Sequence, residues 1–355
     1  MRKTLSFENF QVARYFPELD GLRTVSILLV VSLHTTDPLW EPLRGNVGVT
    51  IFFVISGFLI TTLLLREEVE RGGASIRAFY IRRAFRILPV YYVALVAYVV
   101  LIGVLDLKAG AADLWHALPY YLTYQNDFAP MGSGFGHTWS LAIEEKYYLV
   151  WPLTFSIVTL RSHRLPITLA LIVLTSVASL SSRGQYLATY APILCGCLVA
   201  LLMHKPSTYE ILCRLATTPL LVVLVGLLVL QSAVFETDNT GHVHVVFGAL
   251  VALAMPGVLI GPTWVKPLFN NRVARYIGTR SYAVYLIHRM AKGVVDRLIA
   301  QGGTAGTQVA RLVLIVSVSL VAAEIMYRFI ERPMIRIGRE LARAHQLPVV
   351  RACRA

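Results

Sequence analysis

Ten apolar stretches recur along the 355 residues, and they constrain the fold more than any other feature of the chain. They lie at about 22–38, 47–65, 87–105, 138–160, 166–181, 187–203, 217–234, 243–262, 278–296 and 308–330. A helix crossing a bilayer needs about 20 mostly apolar residues, and isolated Gly, Ser or Pro do not divide such a helix. With 56% hydrophobic and 15% charged residues, the chain reads as an all-α, polytopic membrane helix bundle of about ten transmembrane helices. A soluble enzyme is excluded on the same ground.

The formal net charge is +13, but it does not form a basic face for nucleic acid. The cations fall in alternate connections. Arg2, Lys3 and Arg14 precede the first stretch, and Arg66, Arg71, Arg77, Arg82, Arg83 and Arg86 lie around the second connection. Arg161 and Arg164, then Lys205 and Arg214, then Lys266, Arg272, Arg275 and Arg280 continue the pattern. Arg332, Arg336, Arg339, Arg343, Arg351 and Arg354 close it, whereas the opposite loops hold only Arg44, Lys108 and Arg183. Because cytoplasmic loops collect Lys and Arg, both termini are expected in the cytoplasm.

The expected organisation is a cytoplasmic segment over 1–21, a transmembrane domain over 22–333 and a basic cytoplasmic tail over 334–355. That tail suits the surface of anionic membrane lipids. The polar residues before the first stretch, with no small-residue cleavage site, argue against a removable signal peptide. The longest external connection, 106–137, carries Trp115, Tyr120, Tyr121 and Tyr124 and then a turn-rich run over 129–134. Its aromatics read first as an interfacial anchor, and second as a lid or acceptor platform. Cys195, Cys197, Cys213 and Cys353 lack metal-ligand spacing and are expected to be unpaired thiols.

Four clusters carry chemistry. The first is Asp20, Arg23 and His34. Eleven helical steps of about 100° return to within about 20° of the start, so Arg23 and His34 share a face about 16 Å apart. Asp20, three residues before Arg23, is in pairing reach. His34 suits a general base, against the plainer reading of an interhelical hydrogen bond.

The second is the run Arg82, Arg83 and Arg86 at the entrance to the third stretch. Guanidinium groups recognise phosphates through forked hydrogen bonds, so a phosphate-bearing donor such as an acyl-coenzyme A fits. The alternative is a topological anchor. The third is His137, Trp139, Ser140, Glu144 and Tyr148. On a helix starting at His137, Ser140, Glu144 and Tyr148 share its face. A carboxylate there is costly without a role: Glu144 either orients a histidine, pairs with Arg23 or braces the bundle. The fourth is Ser281, Tyr285 and His288, which also share a face and make His288 a competing base. In the last stretch, Glu324 and Arg328 have the spacing of an ion pair.

Taken in order from residue 20 to 333, these motifs resemble the membrane acyltransferase-3 family, bacterial integral-membrane enzymes that O-acylate sugars, polysaccharides and macrolides. The resemblance rests on Arg23-x10-His34, Arg83-x-x-Arg86, the run from Gly48 to Thr61, Trp139-Ser-Leu-x-x-Glu144, Ser281-Tyr-x-x-Tyr-Leu-Ile-His288 and Glu331-Arg-Pro333. The chain departs from the family at Thr50, where an acidic residue is usual, and at Arg289-Met290, where an aromatic and Pro are usual. It also reads as a stand-alone member without the C-terminal esterase-like domain of many relatives.

The resemblance implies an inner-membrane O-acyltransferase with acetyl-CoA or another acyl-CoA as donor substrate, and with no permanently bound cofactor or metal. The acceptor hydroxyl belongs to a carbohydrate, a lipid-linked glycan or a small hydrophobic metabolite such as a macrolide. His34 would be the general base supported by Arg23 and Glu144. Asp20, Arg82, Arg83, Arg86, Trp139, Ser140, Tyr285 and His288 would line the substrate path. The competing class is a transporter that uses the same buried charges as a proton pathway.

Overall fold

The computed structural model describes residues 6–13, 15–105, 111–130, 134–181, 185–234, 241–262 and 264–346. Arg2, Lys3, Arg14, Lys108, Arg183, Arg351, Cys353 and Arg354, and the turn residues 131–133, lie outside them. The first half of the bundle runs through α1 (Phe7–Val12), α2 (Pro17–Thr35), α3 (Val47–Arg71), α4 (Ile76–Tyr98), α5 (Ala111–Leu122), α6 (Trp139–Ser156) and α7 (Arg164–Ala178). After the short α8 (Gln185–Ala188) come α9 (Ala191–Met203), α10 (Pro206–Leu215), α11 (Thr218–Val234) and α12 (Gly241–Ile260). The chain ends through α13 (Val265–Phe269), α14 (Arg272–Leu298), α15 (Ala305–Met326) and α16 (Arg332–Arg343).

A helix lies over every apolar stretch: α2, α3, α4, α6, α7, α9, α11, α12, α14 and α15. Four helical segments are long and apolar enough to cross a membrane: Pro38–Arg71, Ile76–Val104, Gln185–Met203 and Ala305–Arg343. Pro206–Leu215 and Thr218–Leu230, bent by 78°, make a fifth if counted as one span. The reason the others fall short is visible in their residues. α2 carries Glu18, Asp20 and Arg23, α6 carries Glu144, Glu145 and Lys146, and α7 has only 15 residues. Three of these charges, Arg23, Glu144 and Glu145, line an interior cavity.

Local signals set the ends that matter. α2 begins five residues before the apolar stretch, because Pro17 occupies its first turn, where a missing N–H costs nothing. Asp20 and Arg23 are therefore inside the helix. Thr36, left-handed at φ 61°, ends it. Ser75 caps α4 by accepting from the Ala78 N–H, and Asn271 caps α14 by accepting from the Ala274 N–H. α14 runs on past Arg289 and Met290 to Leu298 without interruption.

Two glycine contacts fix the helices around the interior. A Cβ on Gly278 of α14 would meet the Asp20 carbonyl oxygen of α2 at 1.9 Å. A Cβ on Gly57 of α3 would meet the Ile193 carbonyl oxygen of α9 at 1.9 Å. Small residues at such crossings let membrane helices touch backbone to backbone.

Several side-chain contacts gather at one end of the bundle. The Arg66 guanidinium donates to the carbonyls of Phe10, at 2.6 Å, and Ala13. Glu68 pairs with Arg164 at 2.7 Å and Arg161 at 3.0 Å. Ser75 donates to the His345 carbonyl at 2.5 Å. The N-terminal segment, two connections and the C-terminal tail thus meet on one side. At the other end, Arg311 pairs with Asp37 at 3.0 Å and Asp296 at 2.9 Å.

The connection after α4 contains α5, and Tyr121 is fully buried within the protein. The Tyr91 hydroxyl donates to the Tyr121 carbonyl at 2.8 Å. Trp115 and Tyr120 remain exposed. Cys195, Cys197 and Cys213 are free thiols. Glu324 pairs with Arg328 at 2.5 Å and also with Arg280.

Candidate active site

α2 supplies the first pair. Asp20 Oδ1 accepts from Arg23 Nη1 at 2.7 Å, and its other oxygen accepts from the Tyr15 hydroxyl. With Asp20 buried and Arg23 partly open, the guanidinium is held in one direction. That direction is an interior cavity lined by Arg23, Arg83 and Arg86 and by Glu144 and Glu145. Three guanidinium groups against two carboxylates leave it net positive. Ser56, Ser140, Tyr148, Tyr282 and Tyr285 add hydroxyls to its wall.

Glu144 binds neither His34 nor Arg23 directly. Its Oε1 accepts from Ser56 Oγ at 2.7 Å, and Ser56 Oγ accepts from the Tyr148 hydroxyl at 2.9 Å. Arg83 lies over the Tyr148 ring, 3.7 Å from its centroid. The carboxylate, two hydroxyls and the guanidinium thus form one braced wall.

A second, wider cavity opens at the end where the termini meet. Arg66, Arg71, Arg82, Arg83, Arg86 and Arg339 line it against Glu67 and Glu70, six cations to two anions. Arg83 and Arg86 line both cavities. Arg82 pairs with Glu67 at 3.1 Å, while its Nη1 and the Nε of Arg83 are buried without a hydrogen-bond partner among the described residues. Unpaired buried donors of this kind are costly unless a ligand satisfies them.

His34 stands elsewhere on the same helix. Its ring packs edge to face on His288, with centroids 4.8 Å apart, and lies 6.3 Å from His137. His137 and His288 are 5.0 Å apart. His34 Nδ1 is 2.8 Å from the Val30 carbonyl oxygen, and His288 Nδ1 is 2.7 Å from that of Tyr285. A carbonyl only accepts, so each Nδ1 carries the proton and each Nε2 keeps its lone pair. His137 is arranged in reverse: Nε2 faces the carbonyls of Tyr285 and Leu286 at 3.1 and 3.3 Å. Its Nδ1, like His288 Nε2, is buried without a hydrogen-bond partner among the described residues.

The sequence puts His137 on the face of Ser140 and Glu144. The structure separates them, because residues 136–138 form a 3₁₀ turn and α6 begins only at Trp139. His137 turns to the imidazole cluster, while Ser140 and Glu144 face the charged cavity. Likewise Ser281 and Tyr285 line the cavity, and His288 does not. Tyr285 borders both places. Its hydroxyl donates to the His137 carbonyl and is 2.7 Å from Ser140 Oγ. Ser56 and the role of His137 were not legible from sequence; their signal is a hydroxyl one turn from Phe53 on α3 and a third histidine at a helix end. Trp139 lies outside the lining of the charged cavity, its ring perpendicular to that of Phe53 with centroids 6.4 Å apart. At the family's acidic position, Thr50 is hydrogen-bonded to His244 Nδ1 at 2.8 Å. Among the described residues, no group of three or more His, Cys, Asp or Glu side chains is placed to hold a metal ion.

Fold and site together define a polytopic helical membrane protein with a net-positive interior cavity and a nearby cluster of imidazoles. Residues 16–328 match the acyltransferase-3 family, described as an acyltransferase domain, and the chain belongs to that family. A putative peptidoglycan O-acetyltransferase of Bacillus subtilis is 30% identical over 92% of this chain and 56% of its own length. The peptidoglycan O-acetyltransferase of Listeria monocytogenes is 27% identical over 92% of this chain and 56% of its length. A putative O-acetyltransferase of Staphylococcus aureus is 26% identical over 95% of this chain and 60% of its length. The chain therefore spans 56–60% of these relatives. No solved structure matches it.

Proposed function

We propose that the protein is an inner-membrane O-acyltransferase that moves an acyl group, acetyl in its simplest form, from acyl-CoA to a hydroxyl of a carbohydrate or lipid-linked glycan. The observation that carries this reading is the placement of Arg83 and Arg86 in the walls of both cavities. A polyphosphate held in the wide, six-arginine cavity can send its thin acyl-bearing arm between those two residues into the inner one. With ten spans and both termini in the cytoplasm, the wide cavity faces the cytoplasmic pool of acyl-CoA. Residues 1–21, 22–333 and 334–355 are then the cytoplasmic segment, the transmembrane domain and the tail. The names of the Bacillus and Listeria relatives favour a glycan acceptor.

In this reading Arg82, Arg83 and Arg86 bind phosphates, and Asp20 holds Arg23 toward the ligand. His34 is the general base. The acceptor oxygen attacks the thioester carbon as its proton passes to His34 Nε2. The carbon–oxygen bond forms, the carbon–sulfur bond breaks, and the leaving sulfur takes up that proton as free CoA thiol. Glu144 braces the Ser56–Tyr148–Arg83 wall, while Ser140, Tyr285 and His288 position the imidazole side of the path. Mass spectrometry of cell-surface glycans tests the proposal. Cells with the gene should carry acyl esters that cells without it lack, and identical glycans would contradict it.

A further inference from the structure

Beside the charged cavity lies a third one of different chemistry, with a volume of about 260 Å³. Among the described residues its lining holds no Arg, Lys, Asp or Glu, whereas guanidinium and carboxylate groups line each of the other two. Ligand sites commonly combine apolar and aromatic walls with a few placed polar groups. We propose that this cavity is the acceptor subsite and that it takes an uncharged pyranose ring of a glycan. The proposal rests on the acyl-transfer reading above for its place in the reaction, but its ligand is read from the cavity itself.

The aromatic part is Trp139 and Tyr186. Trp139 lines the cavity and is 36% exposed, and an indole there can pack on the C–H side of a sugar ring. Tyr186 is held rigid. Its hydroxyl donates to Asp127 Oδ2 at 2.5 Å, and its ring stacks on Phe128 with centroids 5.6 Å apart. Lys146 neutralises Asp127 at 2.5 Å, outside the cavity lining. A wall fixed in advance loses little entropy when a ligand arrives.

The polar part matches sugar hydroxyls, which both donate and accept. The Gln185 amide supplies both functions. The Thr189 hydroxyl donates to the Tyr186 carbonyl at 2.6 Å, which leaves its oxygen as an acceptor. Thr50 fixes one nitrogen of His244 at 2.8 Å and leaves the other for a ligand hydroxyl. These neutral groups would not hold a polyphosphate, and the arginine-lined cavities would not favour a neutral sugar.

Position supports the assignment. Val49 and Phe53 line this cavity and the charged one, so a single layer of side chains separates them. Trp139 here precedes Ser140 there, and it follows His137 of the imidazole cluster by two residues. A glycan seated in the third cavity is therefore next to the proposed donor cavity.

The test uses the full chain purified in detergent, with radiolabelled tetra-N-acetylchitotetraose as the neutral glycan probe in equilibrium dialysis. The wild type should bind the probe saturably. Gln185→Ala with Thr189→Val should weaken that binding at least about tenfold, consistent with lost hydrogen bonds to a buried ligand. Trp139→Leu should do the same, and Trp139→Phe should restore most of it. Acetyl-CoA affinity, measured on the same samples, should be unchanged in all variants and also reports that they are folded. No saturable binding by the wild type, or equal binding by folded variants, would overturn the subsite. Thiol release from acetyl-CoA is read separately: glycan binding without release keeps the subsite and rejects the acyl-transfer reading.

Discussion

The imidazoles of His34 and His288 meet edge to face, 4.8 Å between centroids, with Nδ1 of each turned to a backbone carbonyl of its own helix. The pair explains why a sequence offers two competing bases. Burial separates them: His288 is 0% exposed, whereas His34 is only partly buried. A base must reach the hydroxyl it deprotonates, so the proposed mechanism gives that role to His34 and a positioning role to His288. His288→Gln should lower kcat by about tenfold, less than the ~10²–10⁴-fold expected for loss of a general base, and leave the KM for acyl-CoA unchanged. A KM change of similar size would reassign His288 to donor binding.

Arg83 and Arg86 should act as one donor-binding unit. Charge-assisted hydrogen bonds contribute about 1.5–3 kcal/mol each. Arg83→Ala with Arg86→Ala should therefore weaken acetyl-CoA binding by about 100-fold or more, measured by equilibrium binding in detergent. Affinity in the wild type should also fall as salt is raised, because ions screen the charges at the cavity mouth. Unchanged affinity in the double variant would return the cluster to a topological role.

Arg311 is fully buried between Asp37 and Asp296, and it also donates to the Ile299 carbonyl at 2.6 Å. Removing Arg311 takes away the charged partner of the buried Asp37, at a cost of about 3–5 kcal/mol, whereas Asp296 keeps Lys292 at 2.5 Å. Arg311→Ala should lower the unfolding temperature markedly, while acetyl-CoA affinity in the folded fraction is retained. A stability equal to wild type would show that water reaches the carboxylates.

Gly278 lets α14 touch the backbone of α2 where Asp20 begins the site. Gly278→Val forces the helices apart, and overpacking of this kind costs about 1–3 kcal/mol or more. The variant should be less stable in thermal unfolding and bind acetyl-CoA more weakly, since Arg23 moves with α2. Gly293→Ala, on the same helix but with open space around it, should match the wild type in both assays.

Much of the fold is legible in the sequence because apolar stretches and capping residues are local signals. Pro17, Ser75 and Asn271 mark helix starts, and every apolar stretch carries a helix. The Asp20–Arg23 pair follows from spacing alone. The site is less legible because its contacts join distant helices. Helical periodicity assigned Glu144 a face, but not its Ser56 partner on α3. It also extended the α6 face back to His137, where the backbone is a 3₁₀ turn and the ring points to His288. Thr50 read as the loss of a carboxylate; its hydrogen bond to His244, from a helix nearly 200 residues later, has no local signal.

The most direct test of acyl transfer by His34 is thiol release from acetyl-CoA by the full chain in liposomes, with and without a glycan acceptor. The wild type should release thiol in step with esterification of the acceptor. His34→Ala should lose about 10²–10⁴-fold of that rate while binding acetyl-CoA with wild-type affinity. Wild-type release by a stable His34→Ala protein would contradict the account.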